Sequence, residues 1–191
     1  MTTNAELLQR RMAAVPRGVS TATTLHVERA ENAEIWDVEG RRYIDFAGGI
    51  AVLNTGHRHP RVIAAAKAQL DRCTHAAFQV SAYECYIELC ERLNALAPIE
   101  GPAKTILFST GAEAVENSIK IARAATRRSA VIAFTGGFHG RSFMAMSLTG
   151  KTAPYKRSFG PLPGEIFHVP LPVAHFGVSV EDSLHAIEQV F

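Results

Sequence analysis

Two glycine-bearing turns hold the residue types best suited to chemistry. The first is STGAE, Ser109 to Glu113, which follows the apolar run TILF and precedes a helical pattern. An apolar run, a tight glycine turn and a helix start aim backbone N–H groups, here those of Gly111 and Ala112, at an anion. The helix dipole adds only ~0.3–1 kcal/mol at an exposed site and up to ~2 when partly buried, so such a turn orients a phosphate without holding a cofactor unaided. Spacing alone admits both a phosphate cradle and an ordinary connection. The second turn is FTGGFHGRS, Phe134 to Ser142, which gathers an aromatic, an imidazole and a guanidinium. The face of Phe138 can cover a flat ring, and Arg141 can clamp a carboxylate through two hydrogen bonds. Taken singly, Phe138 also suits a core, His139 a local hydrogen bond and Arg141 a solvated surface.

Nucleotide readings of these turns fail on specifics. G-x-x-x-x-G-K-[ST] occurs nowhere in the chain, and the turn at Gly111 lacks the lysine and hydroxyl of a P-loop. TGGFHG, 135–140, resembles the dinucleotide fingerprint with its first glycine replaced by threonine, but no acid follows it before Glu165 to hold a ribose. His57-x-His59 has no third ligand nearby, so a structural or interfacial role is expected there rather than a metal.

The elements that must position these turns follow from periodicity and punctuation. A short helix is expected over 5–15, stopped near Pro16-Arg17-Gly18. EIWDVEGRRYIDFAGG reads as a hairpin turning on Glu39-Gly40, with Trp36 and Tyr43 as packing residues. A glycine-rich loop covers 48–60, and helices are expected over 61–72 and 83–96, the latter stopped by Pro98. TILF (105–108) and AVIAF (130–134) read as strands buried on both faces, with a helix between them, which makes a βαβ unit and a parallel sheet. In that intervening helix Glu116 and Lys120 are spaced as an i,i+4 pair. IFHVP, 166–170, reads as a further strand after the loop-like PYKRSFGPLPG, and Ser179 as the N-cap of a last helix. Adjacent parallel strands end at one sheet edge, so the FHGR loop is expected beside the turn at Gly111. Two or three parallel strands are few for an α/β core, and the chain reads as the front part of a longer protein.

Bulk composition excludes several partners. With 47% apolar residues and 20% charged, the 191-residue chain suits a globular domain or part of one. A net charge of +2 is too small to argue for nucleic acid or an anionic membrane surface. No segment approaches the roughly 20 apolar residues of a membrane span. The N-terminus lacks a secretory h-region, and Glu6 weakens a transit-peptide reading, which leaves a cytoplasmic expectation. Cys73, Cys85 and Cys90 are odd in number and show no C-x-x-C spacing, so reduced, mostly buried thiols are expected.

Taken together, RAENAEIWDVEGRRYIDFAGGIAVLNTGHRHP, STGAEAVENSIKIARAATRRS and FTGGFHGRS resemble the class III (ω-amino) aminotransferases, which use pyridoxal 5'-phosphate. The wording is closest to the bacterial 4-aminobutyrate group, and the resemblance covers essentially the whole chain but only about the front half of a family member. It implies the N-terminal part of the aspartate-aminotransferase-like (type I) α/β fold. That is a truncated, mostly parallel sheet with an N-terminal hairpin, divided into a segment 1–58 and an incomplete cofactor-binding domain 59–191.

The resemblance further implies that Gly111 and Ala112 hold the cofactor phosphate through backbone amides. Several relatives have serine or threonine at position 112, and alanine keeps only the N–H. Phe138 is implied to stack on the cofactor ring, where close relatives have tyrosine, and His139 belongs to the same motif. Arg141 is implied to grip the substrate carboxylate and Ile50 to line the substrate pocket. An ω-amino acid would donate its amine to a 2-oxo acid, with 2-oxoglutarate the expected acceptor, in a homo-oligomeric enzyme of 4-aminobutyrate breakdown. The family's cofactor-linking lysine and ring-nitrogen acid fall beyond residue 191. Lys67, Lys104, Lys120, Lys151 and Lys156 stand outside that lysine's context, so the isolated chain is expected to be inactive. A non-catalytic binding or dimerisation module stays open, as do 5-aminovalerate and acetylornithine as substrates of the parent enzyme.

Overall fold

A computed structural model describes residues 2–191. The chain forms two compact units, one ending at Tyr83 and the other running from Glu84 to Phe191.

In the first unit α1 (Asn4–Ala14) starts on a capping box, in which Thr3 Oγ1 accepts from the Glu6 amide and the Glu6 carboxylate accepts from the Thr3 amide. Three antiparallel strands follow in the order β1 (Val27–Glu31), β2 (Glu34–Asp37) and β3 (Arg42–Ile44). The β2–β3 hairpin turns where expected, with Gly40 at φ 80° and its amide on the Asp37 carbonyl. β1 was not foreseen, because VERAE has no apolar alternation. Asp37 ties the unit together. Only 1% exposed, it accepts from Asn4 Nδ2, Arg41 Nε and the Tyr43 hydroxyl at 2.9–3.0 Å, and from the Glu39 and Arg41 amides. Tyr43 is therefore a donor in this hub as well as a packing residue. Trp36 lies under the Arg29 guanidinium, 3.4 Å from the ring centroid. A helical turn, α2 (Gly48–Ala51), and the helix α3 (Pro60–Arg72) complete the unit.

The second unit holds α4 (Glu84–Leu96), α5 (Gly111–Thr126), β4 (Val131–Phe134), α6 (Phe143–Leu148), β5 (Ile166–Val169) and α7 (Val180–Glu188). β4 and β5 pair in parallel, Val131 with Ile166 through Phe134 with Val169. Their shared core is Ala133, Val169 and the α6 residues Ala145, Met146 and Leu148. As expected, Ser179 caps α7, its hydroxyl accepting from the Asp182 amide at 3.0 Å.

Four expectations need correction. TILF is no ladder strand, since among the described residues β4 pairs only with β5. Side chains of α4 satisfy its backbone instead: the Tyr86 phenolic oxygen accepts from the Leu107 amide at 3.0 Å, and the Cys90 thiol donates to the Thr105 carbonyl at 3.6 Å. β4 is not buried on both faces either. With one neighbouring strand it leaves a cavity of about 400 Å³ against α5, walled by Val115, Ile119, Ile132, Phe134, Leu148 and Leu171. The Glu116–Lys120 pair is not formed, because Glu116 accepts from the start of α6 and Lys120 donates to Asn117 Oδ1. The cysteines are free but not mostly buried. Cys73 at the end of α3 and Cys85 in the first turn of α4 face outward, and Cys90 is half-buried.

Candidate functional site

The turn at Gly111 is a capped helix start. Thr110 Oγ1 accepts from the Glu113 amide at 3.1 Å, while the Glu113 carboxylate accepts from the Thr110 amide at 3.0 Å. This capping box was legible in the sequence as T-x-x-E before an apolar run, and it decides which amides remain. The Ala114 amide returns to the Thr110 carbonyl. Among the described residues the Gly111 and Ala112 amides have no acceptor, so the two N–H groups singled out by the sequence are the two the helix start leaves over.

The FHGR loop is built onto this helix end by three sets of contacts. A β-carbon placed on Gly140 would stand 2.7 Å from that of Ala112 and 3.1 Å from that of Ala145, and Gly140 has φ +123°. Only glycine permits both that backbone and that approach. Glu116 Oε1 accepts from the Ser142 hydroxyl at 2.6 Å and from the Met144 and Ala145 amides at 3.0 and 3.2 Å, which locks α6 to α5. The fully buried Thr149 hydroxyl accepts from the His139 amide at 3.1 Å. The loop therefore reaches the turn through helix packing rather than through adjacent strands.

Phe138 is 57% exposed, and its ring stands 5.0 Å from that of Tyr155 at 59°. The Arg141 guanidinium lies over the same Tyr155 ring, 5.3 Å from its centroid. Among the described residues Arg141 has no carboxylate partner and no hydrogen-bond acceptor, which leaves its donors available. His139 is one of the residues that line the cavity between α5 and β4. Gly111, Ala112, Phe138, His139 and Arg141 thus share one neighbourhood of the second unit. Tyr155 is an addition that the sequence did not single out, because it sits in a stretch with no periodicity.

Ile50 belongs to the first unit. It is 90% exposed, with φ 63° and ψ 58°, a left-handed conformation that is costly for a β-branched residue. The loop that carries it is closed at its base by Asp45, which accepts from the Ala47 and Gly48 amides at 3.0 Å and lies 2.7 Å from His57 Nε2. Those contacts, His57 foremost, hold the Asp45 carboxyl below its usual range. His57 is thereby a partner of Asp45, and no group of three or more His, Cys, Asp or Glu among the described residues is placed to hold a metal ion.

The profile of the aminotransferase class-III family matches residues 14–191. The chain belongs to the class III aminotransferases. It is 57% identical over 189 residues to a 5-aminovalerate aminotransferase of Pseudomonas aeruginosa, covering 99% of this chain and 44% of that protein. It is 52% identical over 191 residues to the 4-aminobutyrate aminotransferase of Escherichia coli, covering 100% of this chain and 45% of that protein. Among solved structures, an amine transaminase from an uncultivated Pseudomonas species, in a form bound to pyridoxal phosphate, superposes with a TM-score of 0.77 at 27% identity. That match covers 93% of this chain and 42% of the other. This class III aminotransferase chain thus spans less than half the length of these relatives.

Proposed function

We propose that this chain supplies the phosphate, ring and carboxylate contacts of an ω-amino acid aminotransferase that uses pyridoxal 5'-phosphate. The observation that carries the reading is the approach of Gly140 to Ala112, which sets the exposed Phe138 and the unpaired Arg141 beside two acceptor-free amides. When bound, the cofactor withdraws electrons from the carbon that carries the amine, which makes its proton acidic. The Gly111 and Ala112 amides hold the phosphate at the positive end of α5. Phe138 covers the ring by its π face, which needs no hydroxyl. Arg141 orients the substrate by its carboxylate, leaving the distal amine at the reacting position. His139 belongs to the loop that Thr149 anchors.

4-Aminobutyrate is the proposed donor and 2-oxoglutarate the proposed acceptor. 5-Aminovalerate is the second reading, favoured by the identity to a 5-aminovalerate aminotransferase. One methylene in an apolar pocket separates substrates by only ~1–3 kcal/mol, so ring and carboxylate contacts alone do not choose.

None of the chain's five named lysines lies in the family's cofactor-linking context. The share of the relatives spanned, and exposed apolar side chains such as Phe46, Val80 and Phe176, support the reading that further polypeptide completes the site. In that complete fold the proposed division is a segment 1–58 and a cofactor domain 59–191, in a cytoplasmic homo-oligomer. The test is to incubate the purified 191-residue chain with cofactor and 4-aminobutyrate, follow cofactor absorbance, and assay glutamate formation from 2-oxoglutarate. Residues 1–191 alone should bind cofactor weakly and form no glutamate. A stable borohydride-reducible adduct at one of the chain's lysines overturns the need for further polypeptide. A full-length protein that neither binds the cofactor nor transfers an amine overturns the function.

A further inference from the structure

We propose that Tyr155 is a positioning residue that holds both Phe138 and Arg141 through its ring. This rests on the reading of Phe138 as the ring contact and Arg141 as the carboxylate contact. Tyr155 touches each of them: its ring is 5.0 Å from the Phe138 ring, and the Arg141 guanidinium lies 5.3 Å from its centroid. A guanidinium within about 6 Å of an aromatic centroid is attracted to the ring face. That attraction orients Arg141 without occupying any of its N–H donors, whereas a carboxylate neighbour would compete with the substrate for them. Holding a long, rotamer-rich side chain in place before binding also removes part of the ordering cost from the binding step.

Tyr155 is itself fixed. The next residue, Lys156, donates through Nζ to the Ser147 carbonyl of α6 at 3.1 Å, and its amide donates to the Thr152 carbonyl at 2.7 Å. The buried Ser147 hydroxyl donates to the Pro163 carbonyl at 2.7 Å, which fastens the far end of the same loop to α6. Glu116 in turn locks α6 to α5, so the aromatic support and the Gly111 turn belong to one connected assembly. The Tyr155 hydroxyl has no partner among the described residues, so the ring and not the phenol performs the role.

The test uses the protein at its full natural length, with Tyr155→Phe, Tyr155→Leu, Arg141→Met and the Tyr155→Leu/Arg141→Met double variant. Binding of 4-aminobutyrate and of pyridoxal 5'-phosphate is measured by calorimetry, and the Arg141 δ-protons are followed by NMR. In the unsubstituted protein those protons should be shifted upfield by the Tyr155 ring. Random-coil shifts there overturn the proposal with no variant needed, which covers the case in which Tyr155→Leu fails to fold. Tyr155→Phe should keep the shift and both affinities, while Tyr155→Leu should lose the shift and weaken 4-aminobutyrate by about three- to tenfold. In the Arg141→Met background Tyr155→Leu should cost no further 4-aminobutyrate affinity. A further loss of the same size there makes Tyr155 a direct contact and overturns a positioning role. If Arg141→Met leaves 4-aminobutyrate binding unchanged, the carboxylate reading itself fails and takes the inference with it. If Arg141→Met weakens binding and Tyr155→Leu does not, the inference alone fails.

Discussion

Gly140 stands so close to Ala112 that a β-carbon on the glycine would lie 2.7 Å from the alanine's own. This contact joins the FHGR loop to the start of α5, and it depends on a residue with no side chain at φ +123°. Gly140→Ala should therefore push the loop off the helix end. Overpacking of this kind costs typically about 1–3 kcal/mol, and the backbone strain adds to it. Urea unfolding should show the loss of stability, and equilibrium dialysis of the full-length protein against pyridoxal phosphate should show weaker binding. An unchanged variant on both measures would mean that the loop and the turn do not depend on each other.

Ala112 offers the opposite experiment. Its amide is one of the two left without an acceptor, and its side chain carries no donor of its own. Ala112→Ser adds a hydroxyl at the start of α5, next to where the phosphate is proposed to sit. One added hydrogen bond is worth about 0.5–1.5 kcal/mol, which corresponds to roughly two- to tenfold tighter cofactor binding. Equilibrium dialysis against pyridoxal phosphate checks it. No change, or weaker binding, would place the phosphate elsewhere.

The two turns and their local contacts were more legible than the sheet beside them, for a physical reason. Gly111, Ala112, Phe138 and Arg141 stood out because their chemistry is local: a glycine turn before a helix, a ring and a guanidinium announce themselves in five to nine residues. TILF misled because an apolar run states only that it wants burial, while a ladder also needs a partner strand, and among the described residues β4 has only β5. Glu116 misled because a helical i,i+4 spacing was outcompeted by three donors arriving from residues 142–145, a tertiary contact invisible to periodicity. Tyr155 was missed for the same reason. Its partners are fourteen to seventeen positions away, and nothing in PYKRSFGPLPG marks it. The ends of α1, α3 and α4 and the start of α7 fell within a residue or so of expectation, since caps and prolines mark them.

Glu116 separates charge from hydrogen bonding. It accepts from the Ser142 hydroxyl and from the Met144 and Ala145 amides through one oxygen. Glu116→Gln keeps an acceptor oxygen and loses only the charge near a helix start, a cost of about 0.3–1 kcal/mol. Glu116→Ala leaves three donors without their acceptor and should cost about 1–3 kcal/mol. Thermal melts should order the proteins as unsubstituted, then glutamine, then alanine. Hydrogen exchange should accelerate at residues 142–146 in the alanine variant first. Equal melting points would show that α6 is held by its apolar face alone.

Asp37 gives the first unit a defined sensitivity to acid. Burial works to raise its pKa, but the hydrogen bonds from Arg41, Tyr43 and Asn4 outweigh burial and hold the carboxyl well below its usual range. A carboxyl depressed in the folded state stabilises fully above its unfolded pKa of about 3.9, and that contribution fades as pH falls toward the folded value. The melting temperature of the unit should therefore be flat from neutrality to about pH 5 and then fall steadily below about pH 4. Asp37→Asn cannot ionise, so it should melt lower at pH 7 and lose less on acidification. The two curves should converge toward low pH. Parallel curves, offset but equal in slope, would assign the acid sensitivity to other carboxylates and leave Asp37 as a packing residue whose charge does not matter.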